Sequence, residues 1–122
     1  MYKRQGKHTE INPEVKALLP KKVKEMDETT IQMRVVIPMI NEAANILEEK
    51  IVADAATVDL GLIFGIGFPP FRGGLLRYAD YEGLDRIKGA TQKFAAEVDK
   101  DRYALSSYLE NLVEKKMKFY SE

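Results

Sequence analysis

Cysteine is missing from all 122 residues, which excludes disulfides, thiol nucleophiles and thiolate metal sites. A single histidine leaves zinc short of its usual ligands. That histidine, His8, lies in a polar N-terminal stretch where it reads as solvated, so Ser106 and Ser107 have no base to activate them. An excess of one charge is missing as well. Lys plus Arg number 19 and Asp plus Glu number 19, so no whole-chain field draws the protein to nucleic acid or to an anionic membrane. No apolar run approaches the ~18 residues of a membrane span. The basic start, Met1 to His8, is followed by no apolar core of a secretory signal, so a cytoplasmic protein is expected.

What is present is a composition that is 45% hydrophobic, enough for one domain with a core of its own. The most unusual stretch is Gly65-Ile66-Gly67-Phe68-Pro69-Pro70-Phe71-Arg72-Gly73-Gly74, with four of the eight glycines and two of the five prolines. Its glycines reach backbone angles closed to other residues and its prolines fix φ, so it is expected to be a rigid turn that no helix or strand runs through, with Phe68 and Phe71 buried against the flanking helices. Gly65-Ile66-Gly67 also imitates the opening of a dinucleotide-binding fingerprint. The imitation fails, because the third small residue is replaced by Pro70 after Pro69, and the N–H donors that would face a pyrophosphate are gone.

Helical periodicity accounts for most of the remaining chain. Asn12 and Pro13 start a short helix that ends at Pro20, and a charged connection, 21–25, follows. The longest helix is expected from about Asp27 to Lys50, with Arg34, Asn41, Asn45 and Glu48 as its polar stripe and an apolar arc wide enough to make it the central helix. Pro38 should kink it. Glu42, at the edge of the arc, is a candidate ion-pair partner for Arg72 or Arg77, with a solvated boundary carboxylate the preferred reading. Asp54 should cap the next helix, whose Asp59 lies on another face, so the two carboxylates form no acid–base pair. A turn or two of helix is expected over Leu75 to Tyr81, a longer helix from Leu84 to Val98, and a last one from Leu105 with Lys115, Lys116 and Lys118 in its closing turns. No alternating strand pattern is evident. The expected class is all-α with about five helices, a connecting segment over 1–26 and the helical domain over 27–122. No residues qualify as catalytic, cofactor-binding or metal-ligating.

Three segments together carry a family resemblance. They are the Gly65 to Gly74 loop, the Leu76-Arg77-Tyr78-Ala79-Asp80 stretch after it, and Arg34, Pro38, Glu42 and Ala43 in an Arg-x-x-x-Pro-x-x-x-Glu-Ala pattern. The chain resembles the C-terminal helical domain of L-3-hydroxyacyl-CoA dehydrogenases, and most of all the second helical copy in the multifunctional α-subunits of fatty-acid β-oxidation. The resemblance implies a helical fold of the 6-phosphogluconate-dehydrogenase C-terminal type. It implies a parent enzyme that oxidises 3-hydroxyacyl-CoA with NAD on a Rossmann domain, and leaves open whether that parent also carries a hydratase. In a eukaryote it implies the mitochondrial matrix or the peroxisome.

The first helical copy of the family contributes an asparagine to the active site. Met33 stands at the matching position here, and a thioether lacks the amide's hydrogen bonding. The resemblance therefore implies a non-catalytic copy that binds no NAD and packs on the preceding helical and Rossmann domains, with self-association when isolated. Two other roles stay open. The loop, through Phe68, Phe71, Arg72 and Tyr78, could contact acyl-CoA or a partner subunit, or the chain could be a free-standing helical interaction protein.

Overall fold

The computed structural model describes residues 2–5, 8–22 and 24–121. The chain opens with two short strands, β1 (Tyr2–Gln5) and β2 (His8–Ile11), paired antiparallel with Tyr2 opposite Ile11 and Gln5 opposite His8. These strands correct the expectation of none. Main-chain pairing needs no alternating apolar face, so periodicity gave no warning, although Gly6-Lys7 between the strands is a two-residue hairpin signal. The solvation of His8 and an anchoring role for Tyr2 concern side chains outside the described residues.

All the other elements are helical. Asn12 caps α1 (Pro13–Ala17) by accepting from the Glu14 N–H at 3.0 Å, and α1 buries no residue. Asp27 caps α2 (Glu28–Glu48) by accepting from the Thr30 N–H at 2.9 Å, and Asp54 caps α3 (Ala55–Ile66) through the Thr57 N–H at 2.8 Å. These hydrogen bonds hold all three carboxamide or carboxylate caps where short polar residues are favoured. A 3₁₀ turn, Pro70–Arg72, leads to α4 (Leu75–Glu82), α5 (Leu84–Glu97) and α6 (Ser107–Glu114). Among the described residues no helix is long and apolar enough to cross a membrane.

Helix α2 is the central element, packed against α4, α5 and α6, while α3 packs on α4. Ile37, Ile40, Leu75, Leu76, Ile87 and Leu109 are fully buried where these helices meet. Truncating one such side chain to alanine costs about 2–5 kcal/mol.

The polar stripe of α2 is covered at Asn41 and partly covered at Arg34 and Asn45, against expectation. Asn41 is buried, donates to Ile37 O at 3.1 Å and to Thr91 Oγ1 at 3.3 Å, and accepts from the Ser106 N–H at 2.8 Å. Glu48 accepts from Ser107 Oγ at 2.7 Å, and the Arg34 guanidinium lies 5.5 Å from the Phe94 ring centre. The stripe is thus the track on which the α5–α6 connection is seated. Glu48 itself is exposed, and solvent also meets Ile31, Val35, Glu42 and Glu49, a face rotated by about 100° from Asn41, one residue's turn of the helix. Apolar counting left part of this stripe in solvent, whereas Arg34 and Asn41 found partners from other elements.

Helix α6 also stops sooner than expected. Lys116 takes φ 54°, its N–H donates to Val113 O and the Met117 N–H donates to Leu112 O at 2.9 Å, a Schellman closure. Lys115, Lys116 and Lys118 therefore follow the helix rather than ending it, and the reversed tail runs back to α4.

Candidate functional site

The Gly/Pro stretch divides into three parts with different fates. Helix α3 continues through Gly65 and Ile66, so the expectation that no helix enters the stretch is corrected. A glycine can be helical when packing supplies the order, at about 1 kcal/mol relative to alanine. The helix ends at Gly67, whose φ of 71° sends the Phe68 N–H back to Leu62 O at 3.2 Å. Phe68 then turns toward the core, as expected. Phe71 does not: it is 82% exposed, because the Pro69-Pro70 step and the 3₁₀ turn place it on the outer side of the loop.

Gly73 and Gly74 close the loop at φ 76° and 115° and deliver the chain to α4. Asp59, the buried carboxylate of α3, receives it there. Asp59 Oδ1 accepts from the Leu76 N–H at 2.7 Å and Oδ2 from the Arg77 N–H at 3.1 Å, so the side chain of one helix caps the first turn of another. Such a carboxylate satisfies orphan donors and complements the positive end of the helix dipole. A Cβ on Gly74 would collide with this carboxylate. Glycine is required there on two counts, conformation and space.

The C-terminal tail completes the arrangement. Tyr120 donates its hydroxyl to Asp59 Oδ2 at 2.6 Å, and the Arg77 guanidinium lies 3.7 Å from the Tyr120 ring centre. Burial pushes the Tyr120 phenol above its ordinary value, reinforced by the hydrogen bond to Asp59 and by that carboxylate's charge. Asp80 of α4 accepts the N–H groups of Phe119 and Tyr120 at 2.9 and 3.0 Å. Two aspartates thus fasten the tail along α4. Tyr78 is half-buried and its phenol is also raised, by burial first and then by the Glu82 charge.

Loop, α4 and tail enclose an open groove of about 800 Å³, with Phe71, Arg72, Arg77, Tyr78, Tyr81 and Lys118 among its lining residues. Arg72 lies 5.6 Å from the ring centres of both Phe71 and Tyr78. Of the two readings of Glu42, the solvated boundary carboxylate is the one found, and no pair with Arg72 or Arg77 is made among the described residues. Glu42 is exposed on α2, and the ion pairs among the described residues are Glu82 with Arg86 and Lys88 with Glu110. Sequence reasoning therefore brought Arg72, Phe71 and Tyr78 to one place and missed Asp59, Asp80 and Tyr120. Nothing in local spacing marks those three, since their partners lie 17 to 61 residues away.

On the far side of the loop, α3 shows a second surface. The sequence Ala-Ala-Thr-Val-Asp-Leu-Gly-Leu-Ile-Phe-Gly-Ile has almost no polar face, the composition of a helix covered all round. Yet Leu60, Phe64 and Ile66 are 54%, 84% and 65% exposed.

The profile of the 3-hydroxyacyl-CoA dehydrogenase C-terminal domain matches residues 31–118. The chain belongs to that family. This 3-hydroxyacyl-CoA dehydrogenase C-terminal domain is also similar to subunits named fatty acid oxidation complex subunit alpha. One, from Idiomarina loihiensis, is 45% identical over 84 residues, 69% of this chain and 12% of its own length. One from Colwellia psychrerythraea is 46% identical over 71 residues, 58% of this chain and 10% of its own. The domain thus spans about a tenth of the length of the curated relatives it matches. The match starts inside α2 and takes in the Gly65 to Gly74 loop, Asp59 and Asp80.

Proposed function

We propose that this domain is a structural, non-catalytic helical part of a larger NAD-dependent 3-hydroxyacyl-CoA dehydrogenase of fatty-acid oxidation. In this reading a Rossmann domain elsewhere in the enzyme binds NAD and performs hydride transfer, and the present domain packs on the preceding helical copy to brace the cleft that holds the acyl-CoA. Residues 1–26 are the connecting segment and 27–122 the domain. The compartment is the cytoplasm, or the mitochondrial matrix or peroxisome in a eukaryote.

The observation that carries this reading is the uncovered face of α3. A helix with so small a polar share that leaves Leu60, Phe64 and Ile66 in solvent is best explained by a partner surface outside the chain. Met33 gives further support. It is buried in the core against its neighbours, where a side chain has no access to substrate.

Sedimentation of the isolated chain over a wide concentration range, paired with an assay for reduction of acetoacetyl-CoA by NADH, tests the reading. It predicts no turnover, together with self-association that Phe64→Asp abolishes. Turnover by the chain alone, or a monomer at every concentration in both forms, would overturn it.

A further inference from the structure

The groove between the loop, α4 and the tail shares no lining residue with the exposed face of α3, and its chemistry is of a different kind. Arg72, Arg77, Lys116 and Lys118 line it, and Asp80 is the one carboxylate among its lining residues. Both oxygens of Asp80 already accept tail N–H groups. None of the four cations has a carboxylate within 4.0 Å among the described residues. The two arginines rest on aromatic faces, Arg72 on Phe71 and Tyr78 and Arg77 on Tyr120. A guanidinium on a ring keeps its outward N–H fork free for a planar or tetrahedral anion, and the ring holds the fork in place.

The rings themselves are the second half of the pattern. Phe71 and Tyr81 are both more than four-fifths exposed at the groove. Two rings left in water beside unpaired cations suit a ligand that carries both negative charge and a flat apolar group. The volume, about 800 Å³, falls within the 300–1,000 Å³ of small-molecule sites rather than the long track of a peptide.

We propose that this groove binds an aromatic phosphate ester of the nucleotide type, its phosphates on Arg72, Arg77, Lys116 and Lys118 and its base against Phe71 and Tyr81. This site is separate from the one imitated by Gly65-Ile66-Gly67. Its donors are side chains, and it lies beyond the prolines that remove backbone donors. It shares no residue with the α3 face, so the two readings stand or fall separately.

Calorimetric titration of the 122-residue chain with ADP, coenzyme A, pyrophosphate, adenosine and a polyglutamate peptide tests it. The expected result is one-to-one binding of ADP or coenzyme A, tighter than pyrophosphate or adenosine and weakened by salt. The tighter of the two distinguishes a free nucleotide from one that heads a larger cofactor. Arg72→Gln and Lys118→Gln, both at exposed positions and checked for fold by circular dichroism, should each weaken binding by about tenfold, the worth of a charge-assisted hydrogen bond. Phe71→Ala should weaken ADP more than pyrophosphate, since Tyr78 still supports Arg72. Equal binding of ADP and pyrophosphate, preference for polyglutamate, indifference to both cation variants, or no binding at millimolar ligand would each overturn the proposal.

Discussion

Tyr103 donates its hydroxyl to the carbonyl of Arg34 at 3.1 Å, the carbonyl that Pro38 leaves without a helical partner. In an unbroken α-helix the N–H of residue 38 would fill that role, and proline has none. Helix α2 nevertheless runs without interruption from Glu28 to Glu48. The α5–α6 connection thus repairs the defect in α2 and is anchored by it. Tyr103→Phe keeps the ring contact with Phe94, 5.3 Å between centres, and should cost about 1 kcal/mol in urea unfolding, as loss of a buried hydrogen bond does. In a Pro38→Ala background the same change should cost measurably less, because the helix then supplies its own donor. Equal costs in both backgrounds would show that the two residues are uncoupled.

Asp59 joins α3, α4 and the tail through three accepted hydrogen bonds. Asp59→Ala should be among the most damaging single changes, costing about 3 kcal/mol or more, since it strands two N–H donors and a hydroxyl. Gly74→Ala should also exceed about 2 kcal/mol by forcing a Cβ into that carboxylate at φ 115°. Gly89→Ala, in a helix with open space around it, is the control and should stabilise by up to about 1 kcal/mol. Thermal melts of the three variants would rank them.

The Tyr120 phenol is held above its ordinary value of 10.0 by burial and by Asp59. The folded state therefore keeps this proton more tightly than the unfolded state. Its stabilising effect is complete below about pH 10 and declines as pH rises beyond that. Tyr78 acts in the same direction. Unfolding free energy measured from neutral to strongly alkaline pH should fall above about pH 10, and Tyr120→Phe should make that fall shallower while lowering the neutral-pH value. A steeper alkaline decline in the variant would contradict the assignment.

Phe68 and Phe71 flank the same two prolines and meet opposite environments. Phe68 packs against the core and Phe71 stands in solvent. Phe68→Ala should cost about 1–3 kcal/mol, and Phe71→Ala should stay within about 0.5 kcal/mol of the parent. Similar costs for both in chemical denaturation would mean that Phe71 is covered.

How much of this was legible in the sequence depends on the range of the interaction. The starts of α1, α2 and α3 were legible because Asn12, Asp27 and Asp54 bond to N–H groups two or three residues away, and short polar caps are a local signal. Helix α5 was legible from the spacing of Leu84, Ile87, Thr91 and Phe94, all buried. The candidate site was legible only in part. Arg72, Phe71 and Tyr78 were singled out because they sit in or beside the motif, whereas Asp59 looked like one more helical carboxylate until α4 was placed against it.

The sequence by itself determined the helix caps and the family, because each depends on residue type and near neighbours. Tertiary structure decided which face of α2 points inward, where α6 stops, which phenylalanine of the loop is buried and what Asp59 does. Most of those outcomes rest on contacts such as Tyr103 with Arg34, 69 residues apart, whereas α6 stops at a local closure at Lys116. A polar group is free to enter a core only when another element brings it a partner, and no local pattern records that partner's arrival.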